Sequence, residues 1–262
     1  MSGLRFAKLQ GAGNDFVLLD GLHQPLHAVD LPALARRLCD RRFGVGADGL
    51  LLVEPSGNAD VRMRLFNADG SEAPMCGNGI RCLAHYVWAH HAFPTDTLAV
   101  ETPVGVRQVA RIGDGLYTVA MGTPVVQRDA EWVLINTGAP HIVLFSDSLE
   151  TFPLAERGHA LQQHPRFPDG VNLSVAQVVR ADWVRARVWE RGVGETLACG
   201  TGACAIVVAG VLSQQLTRRA TVQMTGGLLE VEWRADDTLW LTGDAMLVFE
   251  GVWRADKGDY NS

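Results

Sequence analysis

Short runs in which apolar and polar positions alternate dominate the chain, each closed by Gly, Pro, Asn or Asp. RFAKLQ, GLLLV, DVRMRLF, LAVETPVGV, LYTVAM, WVLINT, IVLF, WVRARVW, TVQM, LLEVEW and LWLTG are rich in Val, Leu, Thr and aromatics, and each predicts a strand. Three stretches break this rhythm. LPALARRLCDRR (31–42), with Pro32 in its first turn, predicts a helix. After Cys76, residues Ile80, Leu83, Ala84, Val87 and Trp88 recur at helical spacing and predict a second. After Cys199, the run Ala203–Leu212 is apolar on every side, which predicts a third helix buried all round. The turn IGDG (112–115) is the expected junction between domains.

Sliding the sequence against itself by 123 residues aligns VRMRLFNADGSEAPMCGNG (61–79) with VRARVWERGVGETLACGTG (184–202) without a gap. Seven of the nineteen positions are identical: Val61/Val184, Arg62/Arg185, Arg64/Arg187, Glu72/Glu195, Cys76/Cys199, Gly77/Gly200 and Gly79/Gly202. Two copies are too few for a solenoid. They predict two similar domains, each presenting one cysteine at the start of a helix.

The 262 residues suffice for one or two domains with a real core, and a net charge of −6 argues against a nucleic-acid or anionic-membrane partner. The longest strongly apolar run is half the roughly 20 residues that span a bilayer. MSGLRFAKLQ has no apolar signal-peptide core, and five cysteines, an odd number, fit reduced thiols; both favour a cytoplasmic location. The 23 basic residues include only two lysines, Lys8 in the first strand and Lys257 in a polar tail. Neither suits a pyridoxal phosphate Schiff base, so no such cofactor is expected.

A cysteine just before a helix meets unpaired N–H groups and the positive end of the macrodipole, an environment expected to lower its pKa. The neighbouring glycines admit close approach of a ligand, and the N–H groups suit a carboxylate. Two such units facing one another would set identical acid/base groups on opposite sides of one carbon, the requirement for stereoinversion at a Cα. Cys39, Cys82 and Cys204 lie inside helical patterns and are expected to be structural. Zinc would want C-x2-4-C pairs, whereas the second cysteines here fall inside helices, so no metal site is expected. GVGADG (44–49) formally matches a dinucleotide motif but follows a helix and precedes a strand, the reverse of the required order. His85, His90 and His91 read as helix-surface residues; His141 could pair with a cysteine in a thiol hydrolase, which would leave the second cysteine without a purpose.

GAGNDFVLLD (11–20), FNADGSEAPMCGNGIRC (66–82) and ERGVGETLACGTGACA (190–205) closely resemble the diaminopimelate epimerase family, with GADGLL (46–51), PH (140–141) and GVN (170–172) in order between them. The resemblance implies an α+β fold of two pseudo-symmetric domains, each a curled, mostly antiparallel sheet around a central helix, with the active site in the cleft between them. It implies a first domain over 1–114, with the tail 250–262 packed on it, and a second over 115–249. It further implies cofactor-independent interconversion of LL- and meso-diaminopimelate, a step feeding lysine and peptidoglycan synthesis, by a homodimer acting on a small amino acid. Carried over by position, Cys76 and Cys199 resemble the acid/base pair. Gly77, Asn78, Gly200 and Thr201 resemble the segments holding the reacting carboxylate; Asn14, Asn67, Asn172, Glu190 and Arg191 resemble further substrate contacts. His141 and Glu190 resemble groups that tune the thiols. The chain departs from the common pattern at Gly49, where many members have Gln, and at Ala139, where many have Asn. A racemase for another amino acid is therefore a second reading. Proline racemases usually carry His where this chain has Asn78, which disfavours that relative.

Overall fold

The computed structural model describes residues 3–27, 29–128 and 132–254. Contacts within it divide the chain into one unit that runs to Val119 and resumes at Asp244, and another from Ala120 to Gly243.

In the first unit, β1 (Leu4–Gly11) turns antiparallel into β2 (Asn14–Asp20). α1 (Leu31–Cys39) then crosses over to β3 (Gly49–Glu54), which pairs parallel with β2. β4 (Val61–Asn67) returns antiparallel, β5 (Glu72–Ala73) folds back on it, and α2 (Gly77–His90) follows. β6 (Thr97–Thr102) lies parallel to β4, and β7 (Gly105–Gly113) and β8 (Leu116–Gly122) continue antiparallel. IGDG, the expected junction, is the β7–β8 hairpin and lies inside this unit.

The second unit repeats that connectivity. β9 (Val125–Arg128) pairs with β10 (Val133–Asn136), β11 (Pro140–Phe145) turns antiparallel from it, and α3 (Leu154–Gln162) crosses to β12 (Asn172–Arg180), parallel to β11. β13 (Trp183–Glu190), β14 (Gly194–Thr196) and α4 (Gly200–Leu212) reproduce the strand–hairpin–helix step, followed by β15 (Arg219–Met224), β16 (Gly227–Trp233) and β17 (Leu239–Asp244). The chain then re-enters the first unit as β18 (Met246–Trp253), antiparallel to β1. Residues 255–262, with Lys257 and most of the tail expected to pack on the first domain, lie outside the described residues.

The 123-residue offset matches both units element for element: Val61–Asn67 with the strand ending at Glu190, and the helix at Gly77 with that at Gly200. In each unit one helix is enclosed by strands and the other lies outside. Ile80, Cys82, Leu83 and Ala84 of α2 are fully buried, as is every residue of Ala203–Val208 in α4. α1 packs with Val17, Leu19, Leu50 and Leu52, and α3 with Leu173 and Val175.

Differences from the pattern-based expectation have local causes. LAVETPVGV splits into β6 and β7, because Pro103 and Val104 form their turn. The first helix ends at Cys39 instead of 42: the N–H groups of Val45 and Gly46 close on Leu38, and the Asp40 carboxylate accepts from Arg42 and Phe43. GVGADG is thus the loop leaving α1. His91, expected on the helix surface, caps α2 and is half-buried.

Arg81 is the largest fully buried side chain of α2, and the sequence pattern did not single it out. Its guanidinium donates to the Gly77 carbonyl (3.0 Å), Asn78 Oδ1 (2.9 Å) and the Asp244 carbonyl (3.0 Å), tying the first turn of α2 to the returning chain. A buried acceptor stranded by loss of its donor costs about 1–3 kcal/mol. Arg81→Met is expected to lower unfolding stability by at least about 3 kcal/mol, read as a fall in urea midpoint at unchanged m-value. A loss under about 1 kcal/mol would contradict the bracing role.

Candidate active site

Each cysteine of the repeat is the N-cap of its helix, in extended backbone, with φ −141° at Cys76 and −134° at Cys199. Each sulfur accepts the N–H three residues on, from Gly79 and Gly202, both at 3.4 Å. A side chain would be crowded at either glycine: a Cβ on Gly79 would come within 3.3 Å of Leu51, and one on Gly202 within 3.1 Å of Val188 and 3.2 Å of His141. The other repeated residues fix the approach to the helix. Arg64 clasps Glu72 in a two-pronged ion pair (2.7 and 3.0 Å), and Arg187 clasps Glu195 in the same way (2.7 and 2.8 Å). Each pair locks the hairpin that delivers its cysteine.

In the first unit, Asn14 Oδ1 lies 3.6 Å from Cys76 Sγ and 3.4 Å from Asn78 Nδ2, so Asn14, Cys76, Gly77 and Asn78 come together. Asn14 is aimed from behind by Asp48, whose carboxylate accepts from its amide at 2.6 Å. Arg41 bridges Asp48 and Asp15 at 2.7 Å each, while Lys8 pairs with Asp15 and donates to the Gly46 carbonyl. Burial opposes ionisation of Asp15, yet Arg41 and Lys8 hold it down at about 2. Thus GVGADG supplies a carbonyl and a carboxylate to the support of Asn14. Asn67 stands apart from this group at the exposed end of β4, donating to Ser71 Oγ at 2.9 Å.

The second unit gathers the remaining candidates into one network. Thr201 Oγ1 lies 3.4 Å from Cys199 Sγ and 2.9 Å from His141 Nε2; the far ring nitrogen of His141 meets Ser174 Oγ at 3.0 Å. The Asn172 amide donates to His141 Nε2 (3.2 Å), and its oxygen accepts the N–H of Arg191 (2.8 Å). An Nε2 that accepts from an amide is unprotonated, which leaves the ring proton on the nitrogen facing Ser174. Burial drives the His141 pKa down to about 3, so the ring is neutral. It reaches the thiol only through the hydroxyl of Thr201. The Arg191 side chain is exposed and donates to the Asp169 carbonyl at 2.7 Å.

Cys199 departs from the expectation of a lowered pKa. Burial pushes its thiol well above the ordinary value, and the Glu190 carboxylate adds to the shift; the Thr201 hydroxyl and Gly202 N–H oppose both without prevailing. Desolvation therefore outweighs the helix terminus, and Cys199 rests as a thiol. Cys39 and Cys82, expected to be structural, are buried thiols whose pKa burial also raises, to about 12 at Cys39; Cys204 is buried too.

Strand register explains why the two sulfurs have unlike surroundings. His141 pairs with Asn172, next in the ladder to Glu190; at the matching places the first unit has Phe16, Gly49 and Asn67. Gly49 admits no side chain as packed, since a Cβ would meet the Phe66 carbonyl at 2.9 Å and Leu65 at 3.0 Å.

This architecture recurs in solved structures of low sequence identity. A Bacillus anthracis phenazine biosynthesis protein of the PhzF family matches with TM-score 0.76 at 14% identity, over 97% of this chain and all of that one. A hydroxyproline epimerase from Agrobacterium vitis matches with TM-score 0.71 at 16% identity, over 96% and 91%. The chain therefore has the two-domain fold found in these proteins. The diaminopimelate epimerase family model matches residues 6–127 and 133–248. The diaminopimelate epimerases of Moorella thermoacetica and Synechococcus elongatus are 41% and 42% identical over 95% of this chain, which spans 98% and 97% of them. The chain belongs to the diaminopimelate epimerase family.

Replacing Glu190 removes the charge that opposes ionisation of Cys199. Glu190→Gln is expected to lower the pH at which Cys199 is half-maximally alkylated by iodoacetamide, followed by peptide mapping. An unchanged or higher midpoint would show that Glu190 does not act on this sulfur.

Proposed function

We propose that this protein interconverts LL- and meso-2,6-diaminopimelate without a cofactor, on the route to lysine and peptidoglycan precursors. The duplicated N-cap cysteine, in a member of this family, carries the reading. One thiolate takes the Cα proton, and the electron pair left behind moves onto the carboxylate. The other thiol then delivers a proton from the opposite face, so the configuration inverts and the two sulfurs exchange protonation states. The first N–H groups of the two helices, those of Gly77, Asn78, Gly200 and Thr201, stabilise the charge gathering on the carboxylate.

Cys199, resting as a thiol, is the proton donor in this scheme. Glu190, whose carboxylate already bears on it, takes its proton when it must act as the base. Neutral His141 positions the Thr201 hydroxyl beside that sulfur, and Asn14 orients Cys76. Asn67 and Arg191 engage the distal amino-acid end, and Asn172 sets the Arg191 backbone from within. A site built to pair those distal polar groups rejects substrates that lack them. A homodimer in the cytoplasm completes the reading. No helix among the described residues is long and apolar enough to cross a membrane.

In deuterium oxide, LL-diaminopimelate is expected to gain deuterium at Cα with no added cofactor. Cys76→Ala and Cys199→Ala should each reduce turnover by about 10²–10⁴-fold. Near-normal turnover in either variant would end the two-thiol proposal. Faster turnover of a monoamino acid in a substrate panel would overturn the choice of diaminopimelate. Light scattering is expected to return twice the mass of one chain; the mass of a single chain would exclude the dimer.

A further inference from the structure

Far from Cys76, at the other end of α2, three metal-ligating side chains converge. Asp20 closes β2, His23 follows in the next turn, and His91 caps the helix. Asp20 Oδ2 lies 2.8 Å from His23 Nδ1 and 3.1 Å from His91 Nε2, and the three donor atoms all fall within 4.8 Å of one another. The imidazoles stack with centroids 4.7 Å apart, so two ring nitrogens address the same carboxylate oxygen from neighbouring directions.

We propose that Asp20, His23 and His91 form a binding site for a divalent transition metal of the zinc class. Two imidazoles and a carboxylate are donors that such ions prefer, whereas magnesium and calcium want oxygen alone. Small side-chain adjustments bring three atoms so spaced to the roughly 2.0–2.2 Å of zinc–nitrogen and zinc–oxygen bonds. Each ring then offers its inner nitrogen as a lone pair and carries its proton on the outer one. Asp20 is the anchor. Its side chain is only 9% exposed, Leu22 N–H holds Oδ1 at 2.9 Å, and the Tyr86 hydroxyl reaches Oδ2 at 3.3 Å. His23, 59% exposed, is the open side, where ion and water enter.

Two further features favour a cation. The site sits at the carbonyl end of α2, where the helix dipole is negative. Glu250, which pairs with the adjacent His90 at 3.1 Å, adds negative charge nearby. The helix of 14 residues, at about 1.5 Å of rise each, puts the ion on the order of 20 Å from Cys76. It would therefore act as a brace between β2 and α2 and take no part in proton transfer.

The reactive thiols would themselves bind zinc, so the test uses full-length protein with Cys76 and Cys199 blocked by iodoacetamide and metal stripped by chelator. Titration with Zn²⁺ alone is expected to show one equivalent bound and a raised thermal midpoint. Loss of a direct ligand should cost at least as much as loss of an outer-sphere partner, about 10–100-fold in affinity. His23→Ala, at an exposed ring, should lose that much while folding normally without metal, and His91→Ala should behave alike. Co²⁺ should give the visible absorption bands of a site with nitrogen and oxygen ligands in wild type and not in His23→Ala. No saturable binding at one equivalent, or equal binding in wild type and both variants, would overturn the site.

Discussion

The duplicated half of this molecule is organised around a sulfur atom standing where a helix begins. A cysteine at an N-cap leaves its strand in extended geometry and accepts the N–H three residues later, and a glycine giving that N–H lets the turn seat without crowding the side chains beneath it. The arginine–glutamate clasp one hairpin earlier fixes the direction of arrival. These demands account for all but three of the residues that the two halves share across the repeat. They concern placement of the atom; its acidity is decided elsewhere.

That division explains how two units of matching element order can treat their sulfurs differently. Cys199 sits over a row of strand positions holding His141, Asn172 and Glu190, while the matching row in the first unit carries a ring, a bare glycine and an exposed amide. Burial of the thiol, with a half-buried carboxylate beside it, makes the neutral form the resting one, against the pull of the helix terminus. An uncharged imidazole adds no field of its own; it fixes a hydroxyl. The Asn14 side reaches a similar end with exposed ion pairs, where Asp48 and Arg41 aim an amide at the cysteine.

The repeat, both central helices and most strands were legible in the sequence because apolar periodicity and the C-G-x-G spacing are local signals. β12 was missed: its buried run carries Asn172 and Ser174, polar residues whose partners, His141 and the Arg191 backbone, come from distant segments. α3 buries only Leu154, Gly158 and Leu161, too thin a stripe to stand out. β18 presents apolar side chains outward, which disguises its alternation. Arg81 was invisible for a related reason, since nothing about an arginine in an apolar helix says that three carbonyl-type oxygens await it. The acidity of Cys199 was misjudged because the helix terminus can be read from neighbours in sequence, whereas burial cannot.

The first unit is discontinuous: β1 finds one of its two neighbours in β18, near the other end of the chain. During synthesis the inserted unit has all its strands available as soon as it leaves the ribosome, whereas the unit begun first must wait, with one side of β1 unpaired, until β18 has emerged. The unit begun first is thus the one completed last, and its waiting edge is open meanwhile to mispairing with another copy.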